Sequence, residues 1–248
     1  MLDILVVAPH PDDAEIWCGG YIALSSSQGY KVGVLDLTLG EMSSNGTPAG
    51  RAKETLVASK ILGLKYRSNA KFPDGKISST SETQLKSVVK ILRSTKPRLV
   101  LAPYQIDRHP DHEESSKLVD RAVFFSALLK YQPKLAAPHS ISCLCYYQIR
   151  TGFTPSFLVD ISEVYEKKTN AILAYKSQVN SPKGAKTLIG DPRTLKAIKA
   201  RDAFYGAQLG VDYAECFMTR QAIGLSDPVE ALSSKGKIHF FNQGSCVN

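Results

Sequence analysis

The stretch Leu2-Asp3-Ile4-Leu5-Val6-Val7-Ala8-Pro9-His10-Pro11-Asp12-Asp13-Ala14-Glu15 decides the fold. Ile4 to Ala8 is a short apolar run rich in β-branched residues, the pattern of a strand buried on both faces. It stops at Pro9, and His10-Pro11-Asp12-Asp13 follows at once. From Ala14 to Leu24 apolar residues recur with the helical period. A strand that feeds a helix through imidazole and carboxylates places those groups at the strand's carboxyl end, where open α/β sheets bind ligands. His10 and Asp13, three residues apart across the start of a helix, can face one point in space. A neutral imidazole and a carboxylate suit a borderline cation such as zinc. A plainer reading stands beside this one, because Asp12 or Asp13 could be an ordinary helix cap. The tetrapeptide by itself leaves both open.

Working outward, Lys31 to Thr38 reads as a second buried strand, ending in the glycine- and serine-rich loop Gly40 to Gly50. That loop is either a connector or a segment that orders when substrate arrives. Arg51 to Gly63 is an amphipathic helix closed by its glycine. Arg51 sits in the first turn, where a cation opposes the helix macrodipole. The position predicts an anion for Arg51 to hold, with a solvent-facing arginine as the alternative. Tyr66 to Ala70 is a weaker strand, Phe72-Pro73-Asp74-Gly75 a turn, and Ser81 to Ser94 a helix. Arg98 to Ala102 is a further buried strand.

Strands alternating with helices predict βαβ units: an α/β, Rossmann-like fold, with a mainly parallel sheet covered by helices on both faces. After that strand comes Tyr104-Gln105-Ile106-Asp107-Arg108-His109-Pro110-Asp111-His112-Glu113-Glu114, a second imidazole–carboxylate turn before a helix from about 111 to 130. Two of the five histidines lie within four residues here, and a third lies in the first turn. Core packing does not require both clusters at the same end of parallel strands. A shared polar site does.

Beyond Pro133, Ser142 to Ile149 and Phe157 to Ile161 read as strands, and a capped helix starts at Ser162 and runs to about Ser177. Residues 180–192 read as a mobile loop, Thr194 to Gln208 as a helix, Asp212 to Met218 as a last strand, and residues 226–248 as a surface tail. The expectation is one domain over 1–248, with a Rossmann-like core at 1–132 and a smaller α/β extension at 133–248 that completes the site. His139 and His239 fall outside both clusters.

With 43% hydrophobic and 22% charged residues, the 248-residue chain is ordinary for a globular protein. No apolar run approaches the roughly 20 residues of a membrane span, and no signal peptide is visible. The five cysteines (Cys18, Cys143, Cys145, Cys216, Cys246) lack zinc-finger spacing, and Cys143-Leu144-Cys145 reads as core. A reducing cytoplasm follows as the expected compartment. The net charge of +8 is spread in short lysine clusters without an aromatic-interleaved stripe. It predicts no nucleic-acid or membrane partner, only a weak pull on acidic small molecules.

His10-Pro11-Asp12-Asp13-Ala14-Glu15 together with His109-Pro110-Asp111-His112 resembles the zinc-dependent N-acetylglucosaminyl deacetylases of the PIG-L (LmbE-like) family. The resemblance runs from residue 3 to about residue 125 and includes the Gly40-Glu41 turn and the Arg51-x-x-Glu54 helix. The later pattern Gly206-x-x-x-Gly210-x-x-Tyr213-Ala214-Glu215-x-Phe217 is similar to the branch that deacetylates N-acetylglucosaminyl malate on the way to bacillithiol. The resemblance implies that His10, Asp13 and His112 bind Zn2+ or another divalent transition metal, with a position left for water. It implies Asp12 as general base and His109 beside the developing oxyanion. Residue chemistry agrees: three His/Asp ligands with an open position make a catalytic zinc site, and a carboxylate that is not a ligand can carry the proton.

Asp111, two residues on, is expected to keep His109 protonated. Some thiol-pathway members carry a tyrosine two residues before the first histidine of the second motif; Asp107 stands there in this chain, followed by Arg108. Arg51 and Arg108 are the candidates for gripping a substrate carboxylate, and Asp74 for binding sugar hydroxyls. The expected partner is an anionic small-molecule N-acetylglucosaminide, and the expected assembly a homo-oligomer. Two other readings compete. One is a magnesium-dependent phosphoryl-transfer domain built on Asp12-Asp13, against which three converging histidines speak. The other is a non-catalytic sugar- or metal-binding protein, which would not need Asp12.

Overall fold

The computed structural model describes residues 1–179, 184–187 and 189–232. Strand β1 (Ile4–Ala8) is buried along its whole length. It pairs in parallel with β2 (Val32–Thr38) on one side and β4 (Leu99–Pro103) on the other. β3 (Tyr66–Phe72) extends the sheet beyond β2, and β5 (Cys143–Tyr147) lies parallel to β4. Between these strands run helices α1 (Asp13–Ser27), α2 (Pro48–Leu62), α3 (Glu82–Thr95) and α4 (Pro110–Ala127).

The two periods expected of strand and helix meet in the core. Ile4, Val6 and Ala8 of β1 face a core shared with α1, α2 and α5 (Tyr165–Leu173), while Leu5 and Val7 face one shared with α3 and α4. Leu85, Val88, Val89 and Leu92 form the buried stripe of α3, as the sequence pattern predicts. β1 is thus covered on both faces, which is why it carries no polar residue.

After β5 the chain adds β6 (Phe157–Asp160) and β7 (Ala214–Met218), which complete one seven-stranded sheet in the order β3-β2-β1-β4-β5-β7-β6. β7 runs antiparallel to both its neighbours. Helices α6 (Lys176–Val179), α7 (Pro192–Leu209) and α8 (Pro228–Leu232) finish the described elements. Two boundaries depart from expectation. The segment from Ser162 opens as a 3-10 turn (Ser162–Val164) without a side-chain cap, because Ile161 holds the N-cap position and Ser162 Oγ accepts from Tyr213 N–H (3.1 Å) instead. The helix beyond it breaks at Ala174 into α5 and α6. Of the expected loop 180–192, residues 180–183 and 188 lie outside the described residues, and Pro192 already begins α7, capped by Asp191. The tail expected over 226–248 holds α8, and its residues 233–248, His239 included, lie outside the described residues.

Candidate active site

The residues of the site sit on the loops and first helical turns that follow the carboxyl ends of parallel strands. His10 to Asp13 follow β1, Gly40 to Asn45 follow β2, Asp74 and Gly75 follow β3, and Asp107 to His112 follow β4. β1 and β4 are adjacent in the sheet, and this brings the two sequence clusters together.

Three donor atoms converge. His10 Nδ1 lies 3.1 Å from Asp13 Oδ2, and His112 Nε2 lies 3.5 Å from the same oxygen. All three fall within 4.8 Å of one another. Tetrahedral ligands held at about 2.0–2.2 Å from one ion stand roughly 3.3 Å apart, and the two separations to Asp13 Oδ2 are close to that, so the donor set suits a divalent cation. The outward nitrogens are braced as metal-binding imidazoles usually are. His10 Nε2 lies 3.1 Å from Asp74 Oδ1 and 3.3 Å from Asp111 Oδ2, and His112 Nδ1 lies 3.1 Å from Asp107 Oδ1. Burial works against a charged His10, yet hydrogen bonds to Asp111, Asp13 and Asp74 outweigh it and raise its pKa well above the ordinary range. Burial likewise disfavours an ionised Asp13, but His112 and His10 hold its carboxyl low. A second grouping, His10 with His109 and Asp111, also lies within reach of one ion. The Asp111 oxygens, however, already accept from Gly75 N–H (2.7 Å) and Ile77 N–H (3.2 Å).

Asp12 is the N-cap residue of α1, but its side chain makes no capping hydrogen bond. The bland reading of the turn therefore fails for Asp12. Its backbone is at φ 114°, a region that non-glycine residues rarely adopt, and its carboxylate lines a cavity of about 310 Å³ with His10, Asp74 and His109. Burial pushes the Asp12 carboxyl up to about 7, against the pull of Arg51, whose Nη1 is 3.7 Å away. His109 is exposed and stacks on His112 with ring centroids 4.7 Å apart.

A family model described as PIG-L, GlcNAc-PI de-N-acetylase, matches residues 5–123. A diacetylchitobiose deacetylase of Thermococcus kodakarensis is 32% identical over 189 residues, covering 71% of this chain and 69% of that protein. This chain belongs to the PIG-L family. A Bacillus cereus relative, named probable N-acetyl-alpha-D-glucosaminyl L-malate deacetylase 2, is 29% identical over 72% of this chain and 84% of its own length. The crystal structure of the conserved protein TT1542 from Thermus thermophilus matches with a TM-score of 0.83 at 41% identity, covering 91% of this chain and 98% of that one. As a PIG-L member the chain is an N-deacetylase, a hydrolase of a linear amide.

Within this PIG-L site several expectations need correction. Asp111 does not hold a proton on His109: its carboxylate braces His10 and the Gly75–Ile77 backbone, and only its backbone N–H reaches His109 Nδ1 (3.3 Å). Burial, followed by His112 and His10, lowers the His109 pKa against the weaker opposing pull of Asp111 and Asp13. With Nδ1 accepting that backbone N–H, Nε2 is the ring nitrogen left to carry hydrogen. Arg51 does hold an anion, but the anion is Asp12. The guanidinium is buried and also donates to Pro11 O (3.1 Å) and Ser43 Oγ (3.0 Å). Gly40, at φ 67°, leaves room for it, since a Cβ there would stand 2.7 Å from Arg51 Nη1. Arg108 is exposed and does not line this cavity. Asp74 does line it, with Oδ1 against His10 and Oδ2 accepting from Met42 N–H (2.9 Å).

Two residues carry roles that sequence reading did not assign. Asp107, noted only as a replacement for tyrosine, accepts from His112 Nδ1 and from His109 N–H (2.9 Å) through Oδ1, and from Arg150 N–H (3.3 Å) through Oδ2. A carboxylate five residues before a ligating histidine was the available signal. Arg150, on the loop after β5, lines the cavity, and nothing in the local sequence marks it.

Proposed function

We propose that this chain removes the acetyl group from an N-acetylglucosaminide with the help of Zn2+, releasing acetate and a free amine on the sugar. N-acetylglucosaminyl malate, the bacillithiol precursor, is the favoured substrate. The observation that supports this reading most directly is the convergence of His10, Asp13 and His112 beside a fourth group, Asp12, whose side chain does no helix capping.

A divalent cation bound by His10, Asp13 and His112 would polarise the amide carbonyl and acidify water. The protein's own groups supply the rest. Asp12, among the cavity-lining residues and paired with Arg51 at 3.7 Å, takes a proton from the attacking water and returns it to the leaving nitrogen. His109, with Nδ1 engaged by a backbone N–H, donates from Nε2 to the carbonyl oxygen as negative charge develops there. Arg51 fixes the Asp12 turn through Pro11 O, and Asp74 and Asp111 hold the His10 ring. The relatives are named as a diacetylchitobiose deacetylase and a probable N-acetyl-alpha-D-glucosaminyl L-malate deacetylase, which supports a substrate of the N-acetylglucosamine type. We further propose that it works as a homo-oligomer in the cytoplasm; among the described residues no helix is long and apolar enough to cross a membrane.

Elemental analysis of the purified protein, together with acetate release from a panel of N-acetylglucosaminides, tests the reading. About one zinc per chain and release of acetate are expected. Acetate release without a bound transition metal would overturn the metal assignment, and release from none of the panel would overturn the substrate class.

A further inference from the structure

Behind Arg150 the catalytic cavity is bordered by a second one. It has a volume of about 440 Å³ and is lined by Trp17, Gln148, Arg150, Arg193, Thr194 and Arg201, among others. That volume is in the range of small-molecule sites. Arg150 lines both spaces, and so stands at their boundary.

Three guanidinium groups reach the second cavity, and two of them are already paired. Arg201 donates to Asp202 Oδ1 from Nε (2.9 Å) and Nη2 (2.6 Å), with its guanidinium 5.1 Å from the Trp17 ring centre. Arg193 is held by Asp191 at 2.6 Å. Arg150 has no side-chain hydrogen bond or ion pair among the described residues. Arg150 is an exposed residue, and its partial desolvation with the like charge of Arg108 lowers its pKa, against the weaker opposing pull of Asp107 and Asp13. Its backbone is not free: Arg150 N–H donates to Asp107 Oδ2, on the same carboxylate that braces His112. The unpaired cation is thus tied to the scaffold of the reacting centre.

Resting on the N-deacetylase reading above, we propose that Arg150 sets substrate specificity by binding an anionic group on the aglycone. The sugar occupies the catalytic cavity, and the aglycone extends past Arg150 into the cavity lined by Trp17 and Arg193. Guanidinium pairs with carboxylates bidentately, so a carboxylate-bearing aglycone suits this position. The assignment moves the grip expected of Arg51 and Arg108 to a residue of the β5 loop.

The test uses a matched pair, N-acetylglucosaminyl malate and its dimethyl ester, which differ in charge and little in shape. The wild-type protein is expected to favour the malate in kcat/KM by at least about tenfold. Arg150→Gln should lower that ratio by about 10–100-fold, mainly through KM, and Arg150→Lys should fall between. Arg108→Gln is the control, and the ratio should survive it. A wild-type protein that does not discriminate overturns the proposal. So does an Arg150→Gln protein that still does, or a ratio that collapses in Arg108→Gln instead. Calorimetric titration with N-acetylglucosaminyl malate separates the two levels of the argument. If wild type binds it, Arg150→Gln does not, and neither releases acetate, the anion site stands and the deacetylase reading falls.

Discussion

A non-glycine residue at φ 114° and ψ −27° pays of order 1–3 kcal/mol, and Asp12 has that backbone while its carboxylate does no capping. Such a conformation persists where surrounding contacts over-determine it. Here the Asp12 carbonyl accepts from Ile16 N–H (3.0 Å), and Arg51 holds the carbonyl of Pro11. Asn tolerates this region and keeps the side chain's shape, but it cannot accept the proton. Asp12→Asn should therefore lower kcat by ~10²–10⁴ while metal content stays at the wild-type level. Near wild-type turnover with metal bound would move the base role elsewhere, to His109 first. Asp107 acts one bond further out. It fixes which nitrogen of His112 faces Asp13, so Asp107→Ala should weaken metal affinity by about 10–100-fold without removing a ligand. Competition with a chelator of known affinity measures this, and an unchanged affinity would make Asp107 a loop anchor only.

Loops that carry site residues are held by side chains from neighbouring elements. The loop after β2, left open in sequence as connector or mobile segment, is tied down by Met42 N–H to Asp74, Ser43 Oγ to Gln178 and Asn45 to the backbone of Ala185. The loop between β3 and α3, which carries Asp74, is tied to α4. There Asp111 accepts from Gly75 and Ile77, and Glu114 Oε2 accepts from Ser79 N–H at 2.7 Å. The Ser79 N–H, followed by Lys117, holds the Glu114 carboxyl down at about 2, below its ordinary value of 4.5. A folded-state pKa below the unfolded one gives stability that is present above about pH 4.5 and is lost as pH falls toward 2. The Glu114 side chain is 29% exposed, so solvent screening discounts part of the effect. Glu114→Gln should cost roughly 1 kcal/mol at pH 7, and the difference from wild type should shrink below pH 4.5 in urea denaturation. A difference that stays constant with pH would show that charge is not what Glu114 contributes.

Across the whole molecule, the C-terminal strands are joined to the first helix by a buried ion cluster. α1 kinks at Cys18, and a break in the helical ladder frees backbone donors. Glu215 of β7 accepts two of them, Gly20 N–H (2.9 Å) and Tyr21 N–H (2.7 Å). Lys168 of α5, with no solvent exposure, bridges Glu215 (2.8 Å) and Asp202 (2.6 Å), and Asp202 also holds Arg201. Gly19 leaves room for Lys168, whose Cγ would stand 3.3 Å from a Cβ there. Breaking such a pair strands buried charge, so Lys168→Met should destabilise the fold by about 3–5 kcal/mol. Guanidinium denaturation measures it, and a loss under about 1 kcal/mol would mean the cluster rearranges rather than holds the two halves of the sheet together.

The sequence by itself determined the parallel α/β core and the pair of polar turns, because both are local signals. The run Ile4–Ala8 can be buried only between two helical layers, and His10, Asp13 and His112 stand at helix starts that follow strands. It also singled out Asp12, since one of two adjacent carboxylates must point away from the other's partner. The tertiary structure alone decided how charge is distributed around those residues. That His10 Nε2 is braced, that Arg51 belongs to the Asp12 turn, and that Asp111 serves His10 rather than His109 depend on contacts between residues 40, 64 and 101 positions apart in the chain. The same holds for Asp107 and Arg150, and for the ion cluster of Lys168, Asp202 and Glu215. A charged side chain has no periodic signature. Its partner is chosen by what burial leaves within about 4 Å, and only the folded chain fixes that distance.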